Sequence, residues 1–175
     1  MRIAMIAVLA AAAPADADVV ETYPMISLPL TLGTHRTTDD GSFSWGLRPE
    51  VIASRIDHDA GRGWGIGGYA QLERADGDST YAGGATLVGY GESGALALSV
   101  GLYRRSDDDS GVQTSVFFGR RGSTDRDIPL DVPIGFRVDL QHGETDSIVV
   151  SAVLDTAPLF LLIGGIFVVV GAGRD

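Results

Sequence analysis

Residues 128–142 read IPLDVPIGFRVDLQH, and this stretch decides the fold. Its odd-numbered positions hold only proline, glycine and polar or charged residues. Its even-numbered positions hold Ile128, Leu130, Val132, Ile134, Phe136, Val138, Leu140 and His142. A period of two places alternate side chains on opposite faces of a β-strand. The stretch therefore predicts a strand with one apolar and one polar face.

The same alternation recurs along the rest of the chain. It is clear in residues 26–33, 43–54, 64–73, 96–103 and 112–119, and strands without a definite facing are expected at 81–90 and 147–155. Short connectors rich in Gly, Asp and Ser separate these runs and are typical of hairpin loops. Connectors this short leave no room for crossover helices, so neighbouring strands must be antiparallel. The chain is predicted to be all-β, folded as a single meander.

Alternation fits two architectures that differ in where the apolar face points. A soluble barrel or sandwich turns that face inward, whereas a transmembrane barrel turns it outward to lipid and encloses the polar face. The runs are about 10–15 residues long, longer than the usual soluble strand and close to the roughly 9–11 residues that cross a bilayer. Strand length therefore favours the transmembrane barrel. Bulges are expected at Pro49 and Pro133, because proline lacks the N–H that a closed sheet requires.

The polar face carries few charges among many small residues. Its charged positions are Arg48, Glu50, Glu73, Asp131, Arg137 and Asp139. The uncharged polar positions between them include Tyr69, Gln71, Tyr103 and Gln113. Two arginines and four acids on an otherwise small-residue face are typical of a paired network inside a narrow lumen. We predict that these six charged residues form such a network.

Aromatic residues gather near the strand ends, on or beside the apolar face. They are Tyr23, Phe43, Trp45, Trp64, Tyr81, Tyr90 and Phe118. Such residues are enriched where a membrane meets water, so we predict that they form interfacial girdles. Arg55, Arg74 and Arg120 take outward register only where strands end, where their head groups could reach lipid headgroups.

Each terminal region of the chain carries an apolar stretch. Residues 1–17 have a short positive start, an apolar run and a small-residue cleavage pattern, and they predict an export signal. The remaining residues, 18–175, form the predicted barrel domain. Residues 156–173 contain no charge. We expect a closing strand there, with a hairpin about Gly164 and Gly165 as the second possibility and a helix as the third.

A signal peptide, eight or so alternating strands, short turns and aromatic strand ends resemble the small outer-membrane β-barrel class of Gram-negative bacteria. The resemblance covers about residues 23–172 and is architectural, with no specific family. It implies a closed antiparallel up-and-down meander barrel of 8 to 10 strands with its apolar face outward. Because bacterial single-chain barrels have even strand numbers, eight or ten is expected. The resemblance also implies residence in the outer membrane, with its lipids as partners; the periplasm is the alternative.

Composition excludes several function classes. The chain has no Cys, which removes disulfides, thiolate metal sites and a cysteine nucleophile. Its net charge of −10 argues against nucleic acid as a partner, because phosphate binding needs a positive surface. The acidic turns, such as residues 107–109, follow no calcium-loop pattern and are interpreted as solvated turns. No metal site and no cofactor are predicted, and the oligomeric state is not predicted.

The expected function is a structural or envelope role for a barrel whose lumen is filled by side chains. A narrow ten-stranded pore is the first alternative, and a soluble periplasmic barrel that encloses a lipid or other small molecule is the second. An outer-membrane lipid hydrolase is the third, with His142 near Asp139 and Ser147 as the candidate base, acid and nucleophile. No enzyme activity is expected, because neither this spacing nor that of His35 and Thr37 requires the groups to meet.

Overall fold

The computed structural model describes residues 21–37, 40–57, 62–121 and 133–156, and within them the chain forms strands and turns without a helix. The strands are β1 (Glu21–Ser27), β2 (Pro29–Thr37), β3 (Gly41–Leu47), β4 (Glu50–Asp57), β5 (Arg62–Ala75), β6 (Asp78–Gly91), β7 (Gly94–Arg105), β8 (Ser110–Arg120), β9 (Ile134–His142) and β10 (Ser147–Asp155). Among the described residues there is accordingly no helix that could span a membrane. The signal peptide predicted for residues 1–17 lies outside them, as does all but Thr156 of the stretch 156–173.

Eight of the strands close into an antiparallel barrel. The order around it is β5, β3, β2, β10, β9, β8, β7, β6 and back to β5. The closing contact joins β10 to β2, where Val150 pairs with Thr34. The prediction of a closed up-and-down meander is confirmed, with eight strands in the closed ring and two further strands, β1 and β4, attached to it.

The two further strands continue β2 and β3 past a proline. β1 and β2 are separated by Leu28 alone, and β3 and β4 by Arg48 and Pro49. The hairpin they form keeps one register throughout, since Ser27 pairs with Glu50 and Leu30 with Leu47. Pro133 directly precedes β9 and its carbonyl accepts a bond from Asp155 N at 3.0 Å. The expectation of bulges is therefore wrong at Pro49, where the register is unbroken, and at Pro133 among the described residues. Short interruptions of the strands accommodate the missing N–H groups instead.

The barrel is apolar outside and polar inside, as predicted. In β9 the outward Ile134, Phe136, Val138 and Leu140 alternate with the inward Gly135, Arg137, Asp139 and Gln141. In β10 the same pattern exposes Ile148, Val150 and Leu154 and buries Ser147, Ser151 and Asp155. The larger apolar side chains of the strands are thus mostly on the outer surface, where a soluble protein would place its charges.

Glycines adapt the wall where bulky groups fill the interior. Gly119 and Gly135 are cross-strand partners that face the lumen beside Phe117. A Cβ at Gly119 would lie 2.8 Å from Cζ of Phe117, closer than van der Waals contact allows. Asp76 and Gly77 have φ values of 49° and 91°, which suit the two-residue hairpin turn between β5 and β6. Glycine thus leaves room for the Phe117 ring at the wall and adopts the positive φ that the turn requires.

The barrel has two ends, named here by the chain connections that they carry. The hairpin end carries the connections β2–β3, β5–β6, β7–β8 and β9–β10. The terminal end carries the start of β1, the end of β10 and the connections β4–β5 and β6–β7. β8 also ends, and β9 begins, toward the terminal end, and residues 122–132 between them are outside the described part of the chain.

Candidate functional site

Arg48 lies in the middle of the lumen, at the interruption between β3 and β4. Its side chain is 1% exposed. Nε donates to Oε1 of Glu50 at 2.7 Å, and the terminal nitrogens donate to Ser99 Oγ at 2.6 Å and Ser115 Oγ at 3.1 Å. The guanidinium carbon also lies 3.6 Å from the centroid of the Tyr69 ring. One cation therefore contacts β4, β5, β7 and β8 at once.

Asp139 connects this arginine to a second one. Arg137 Nε donates to Oδ2 of Asp139 at 3.1 Å, and Arg48 Nη1 lies 3.8 Å from its Oδ1. Gln71 Nε2 donates to the same Oδ2 at 3.4 Å and to Glu73 Oε2 at 3.2 Å. The carboxylate of Asp139 is fully buried. Without these donors it would be an unpaired charge in the interior, which is costly.

Five of the six predicted lumen residues thus lie in one group. We name it the Arg48 cluster: Arg48, Glu50, Gln71, Glu73, Arg121, Arg137 and Asp139. Glu50 is shared between Arg48 and Arg121, whose Nη2 donates to Oε2 of Glu50. The cluster holds three arginines and three acids, so its formal charges balance. Asp131 lies outside the described residues.

Arg121 was not predicted from the sequence. It directly follows β8, where the period of two ends, and its neighbours give no sign of its facing. Its side chain is 2% exposed, and its guanidinium carbon lies 5.4 Å from the Phe117 ring centroid. The one sign of a further cation was the charge of the six predicted residues, which are four acids and two arginines.

A second charged group, the Arg105 cluster, lies at the hairpin end. It consists of Tyr103, Arg105, Asp109, Gln141 and Ser147. Arg105 donates to Asp109 Oδ2 at 2.8 Å, to Gln141 Oε1 at 2.8 Å and to Ser147 Oγ. It also donates to the carbonyl of Thr145 at 3.3 Å. The cluster therefore ties the β7–β8 turn to the β9–β10 turn.

Asp109 belongs to the acidic turns that were interpreted as solvated, and it is instead 6% exposed. Burial by itself would raise the pKa of its carboxyl. The amide of Glu144, which donates to Oδ1 at 3.0 Å, the Arg105 guanidinium and the Tyr103 hydroxyl outweigh burial and hold the pKa below the ordinary 3.8. Asp109 is thus a structural carboxylate rather than a surface charge.

A chain of three glutamines joins the two clusters through the lumen. Gln141 accepts from Arg105 and its Nε2 donates to Gln113 Oε1 at 3.2 Å. Gln113 Nε2 then donates to Gln71 Oε1 at 2.9 Å. Each amide accepts on one side and donates on the other, so the hydrogen bonds run from the hairpin end to the Arg48 cluster without interruption.

Among the described residues, side chains fill the lumen at its centre and toward the terminal end. A cavity of about 10 Å³ lies beside Arg48, about the space of one water. Nearer the terminal end the interior is apolar and contains Met25, Ile52, Ile56, Val88, Tyr90, Ala95, Ala97, Phe117 and Val153. A polar cavity of about 180 Å³ opens at the hairpin end, lined in part by His35 and Arg105.

The outer face carries five of the seven aromatic residues predicted at an interface. Phe43, Trp45 and Tyr81 point outward near the hairpin end, and Trp64 and Phe118 point outward toward the terminal end. Tyr23 lies in β1 opposite Ser54. These positions leave an aliphatic band between two sets of aromatic rings.

Tyr90 corrects one of the predictions, because it is 9% exposed and faces the interior. Its hydroxyl lies 3.0 Å from Ser54 Oγ and donates to Sδ of Met25 at 3.7 Å. Tyr81 and Tyr90 are in the same strand and separated by nine positions, so the period of two places them on opposite faces. The two tyrosines therefore cannot both lie at an interface: Tyr81 faces outward and Tyr90 faces the interior.

Arginines mark both borders of the outward band. Arg36, Arg74 and Arg104 point outward at the hairpin end, and Arg55 and Arg120 toward the terminal end. Between them the outward positions of the described strands carry no charged side chain. Three of these arginines lie directly opposite an aromatic partner: Arg74 with Trp45, Arg104 with Tyr81 and Arg55 with Trp64.

The histidine set considered for hydrolysis is not assembled. His142 points outward, and its Nδ1 lies 2.7 Å from Oδ1 of Asp146. Asp139 and Ser147 face the lumen, on the other side of the wall. Within the described ranges no three His, Asp or Glu side chains are grouped in a way that could hold a metal ion.

Comparison with family models, with curated proteins and with solved structures finds no match to the chain.

Proposed function

We propose that the protein is an integral β-barrel of a bacterial outer membrane with a structural role in the cell envelope. The observation that carries this proposal is the inversion of the barrel wall. Large apolar side chains such as Leu102 and Phe136 are 70% and 66% exposed, whereas Arg48 and Asp139 are 1% and 0% exposed. Water stabilises the opposite arrangement, so the outer surface suits a lipid solvent.

The closed hydrogen-bond ladder supports the same proposal. In a bilayer every backbone N–H and C=O must be satisfied within the protein, and strands achieve this only in a closed barrel. The ring of eight strands has an even number, as bacterial outer-membrane barrels do. Its border of arginines and aromatic rings fits the two interfaces of a membrane, where such residues are enriched.

A structural role is favoured over transport by the filled lumen. Barrels of eight strands have interiors that side chains just fill, and here the Arg48 cluster leaves only about 10 Å³. The pore alternative assumed ten strands around the lumen, whereas eight form the closed ring. The soluble alternative required an apolar interior that could enclose a lipid, and the large apolar side chains of the wall point the other way.

Cell fractionation combined with a heat-shift gel tests the proposed function. We expect the protein in the outer-membrane fraction, from which only detergent dissolves it. On the gel we expect the unboiled protein to migrate differently from the boiled protein. Recovery in the soluble periplasm without detergent would overturn the proposal.

Planar bilayer recordings test the structural role separately. The filled lumen predicts no steady conductance from the inserted wild type. The variant Arg48→Ser removes the central side chain, and where the heat-shift gel shows that it is folded, we expect it to conduct more than the wild type. Steady wild-type channels would show that the protein is a pore and would contradict the structural role.

A further inference from the structure

The outer face has a groove of about 960 Å³ at the hairpin end, across β8, β9, β10 and β2. Its floor includes one row of directly paired outward residues, Arg36, Ile148, Leu140 and Thr114. Val112 and His142 extend the groove along the edge of the barrel. The volume lies in the range of small-molecule sites.

The chemistry of the groove changes along its length. Val112, Leu140 and Ile148 are each between 44% and 48% exposed and give it an apolar wall. Thr114 is the short side chain in the row and leaves room beside Leu140. Arg36 closes the row at the border of the band. A ligand that fits must therefore combine a hydrocarbon chain with an anionic head.

Arg36 is the arginine of this border best placed to bind such a head. Arg104 is paired with Asp108 at 2.7 Å. Arg74 lies opposite Trp45, away from the groove. Within the described ranges no acid forms an ion pair with Arg36. The one acid that lines the groove, Asp146, is engaged by His142.

We propose that this groove binds one anionic phospholipid, rather than a zwitterionic one, with its phosphate on Arg36 and an acyl chain along Leu140 and Ile148. The proposal rests on the proposed function, since it places the groove at a membrane interface. An anionic phosphate pairs with a guanidinium that no described acid engages, and the acyl chain of the lipid covers apolar side chains that are otherwise exposed.

Native mass spectrometry of the folded protein in a neutral detergent tests the site. The probe is an equimolar mixture of phosphatidylglycerol and phosphatidylcholine. We expect one phosphatidylglycerol to be retained in preference to phosphatidylcholine. Arg36→Gln should lower that preference about fivefold, the effect typical of one arginine near an anionic lipid surface. Thr114→Phe should lower retention of both lipids, because it fills the groove without changing charge.

Arg104→Gln is the matched control. It removes the same charge from the same border, but from a guanidinium already paired with Asp108. An equal loss of preference in Arg36→Gln and Arg104→Gln would overturn the site, as would a wild type with no preference. If the wild type is a dimer and Thr114→Phe dissociates it, a second copy of the chain occupies the groove in place of a lipid, and the proposal is also overturned.

The heat-shift gel separates the two proposals. A variant that keeps the wild-type shift is folded, so its lipid result counts. A wild type that inserts into membranes but shows no preference contradicts the lipid site alone. A wild type that is soluble without detergent contradicts the proposed function itself.

Discussion

Two neighbouring ion pairs at the hairpin end show how the two faces of the wall differ. Arg104 and Asp108 are 2.7 Å apart, and Arg105 and Asp109 are 2.8 Å apart, with the same spacing in sequence. The first pair is 72% and 83% exposed, whereas both members of the second are 6% exposed. A shift of one residue along β7 moves the same chemistry from the outer surface to the interior.

Position on the wall, rather than pair geometry, thus determines what an ion pair contributes to stability. Exposed pairs contribute little, because water already solvates their charges. Buried pairs are required once they exist, because removing one partner leaves the other uncompensated. The inward charges of this barrel should therefore be far more sensitive to mutation than the outward ones.

The largest effect is expected for Arg48→Ala. The substitution leaves Glu50 and Asp139 without their shared cation in the middle of the lumen. We expect a loss of about 3–5 kcal/mol in the free energy of unfolding. Urea unfolding of the reconstituted protein, followed by tryptophan fluorescence, measures it.

Arg48→Lys is the control for this expectation. It keeps a cation beside Glu50 and Asp139 and leaves the Arg121–Glu50 pair in place, but it lacks the planar guanidinium. Arg48→Lys should therefore be more stable than Arg48→Ala. A lysine variant as unstable as the alanine variant would show that the hydrogen bonds of the guanidinium, rather than charge balance, govern the cluster.

A smaller effect is expected for Arg105→Ala, and almost none for Arg104→Ala. Arg105 makes hydrogen bonds to Asp109, Gln141 and Ser147, whereas Arg104 contacts Asp108 at the surface. Charged hydrogen bonds of this kind contribute about 1.5–3 kcal/mol, and surface substitutions usually stay within about 0.5 kcal/mol. The same urea titration compares them. Equal losses in the two variants would contradict the difference between the faces.

The smallest effect is a dependence on acid pH at the hairpin end. The pKa of Asp109 is lower in the folded protein than its ordinary value of 3.8, so the folded state binds this proton more weakly than the unfolded chain does. Ionised Asp109 therefore stabilises the hairpin end above pH 3.8, and this contribution disappears as pH falls through the lowered pKa. Hydrogen exchange at the Glu144 amide, which donates to Asp109, reports the change.

Asp109→Asn is the control for the pH effect. Its side chain does not ionise, so protection of the Glu144 amide should be lower than in the wild type at neutral pH. It should also lack the fall in protection that the wild type shows below pH 3.8. If the variant follows the same pH profile as the wild type, another group controls the β9–β10 turn.

Much of the wall could be predicted from the sequence, because a period of two fixes facing wherever a strand is regular. Residues 134–142 take the predicted facing, and the five described charges of the predicted network face inward. The charges that were missed lie at strand ends or beyond them. Arg121 follows β8, and Asp109 precedes it in a turn, so neither belongs to an alternating run.

The facing of β6 could not be predicted for a different reason. Residues 82–85 are Ala, Gly, Gly and Ala, so neither face has the larger apolar side chains. This central stretch hides the alternation, and Tyr90 was consequently placed on the outer surface with Tyr81. The interior also contains an apolar region at the terminal end, which accepts the Tyr90 ring beside Met25.

Spin-label accessibility along β7 tests most directly whether the outward face contacts lipid. Because the chain has no Cys, single cysteines at Leu96, Ala97, Leu98, Ser99 and Val100 can be labelled one at a time in the reconstituted protein. We predict that accessibility to membrane-dissolved oxygen alternates, high at Leu96, Leu98 and Val100 and low at the two inward positions. Strong accessibility of those three positions to a water-soluble relaxation agent, without oxygen accessibility, would contradict the outward orientation toward lipid.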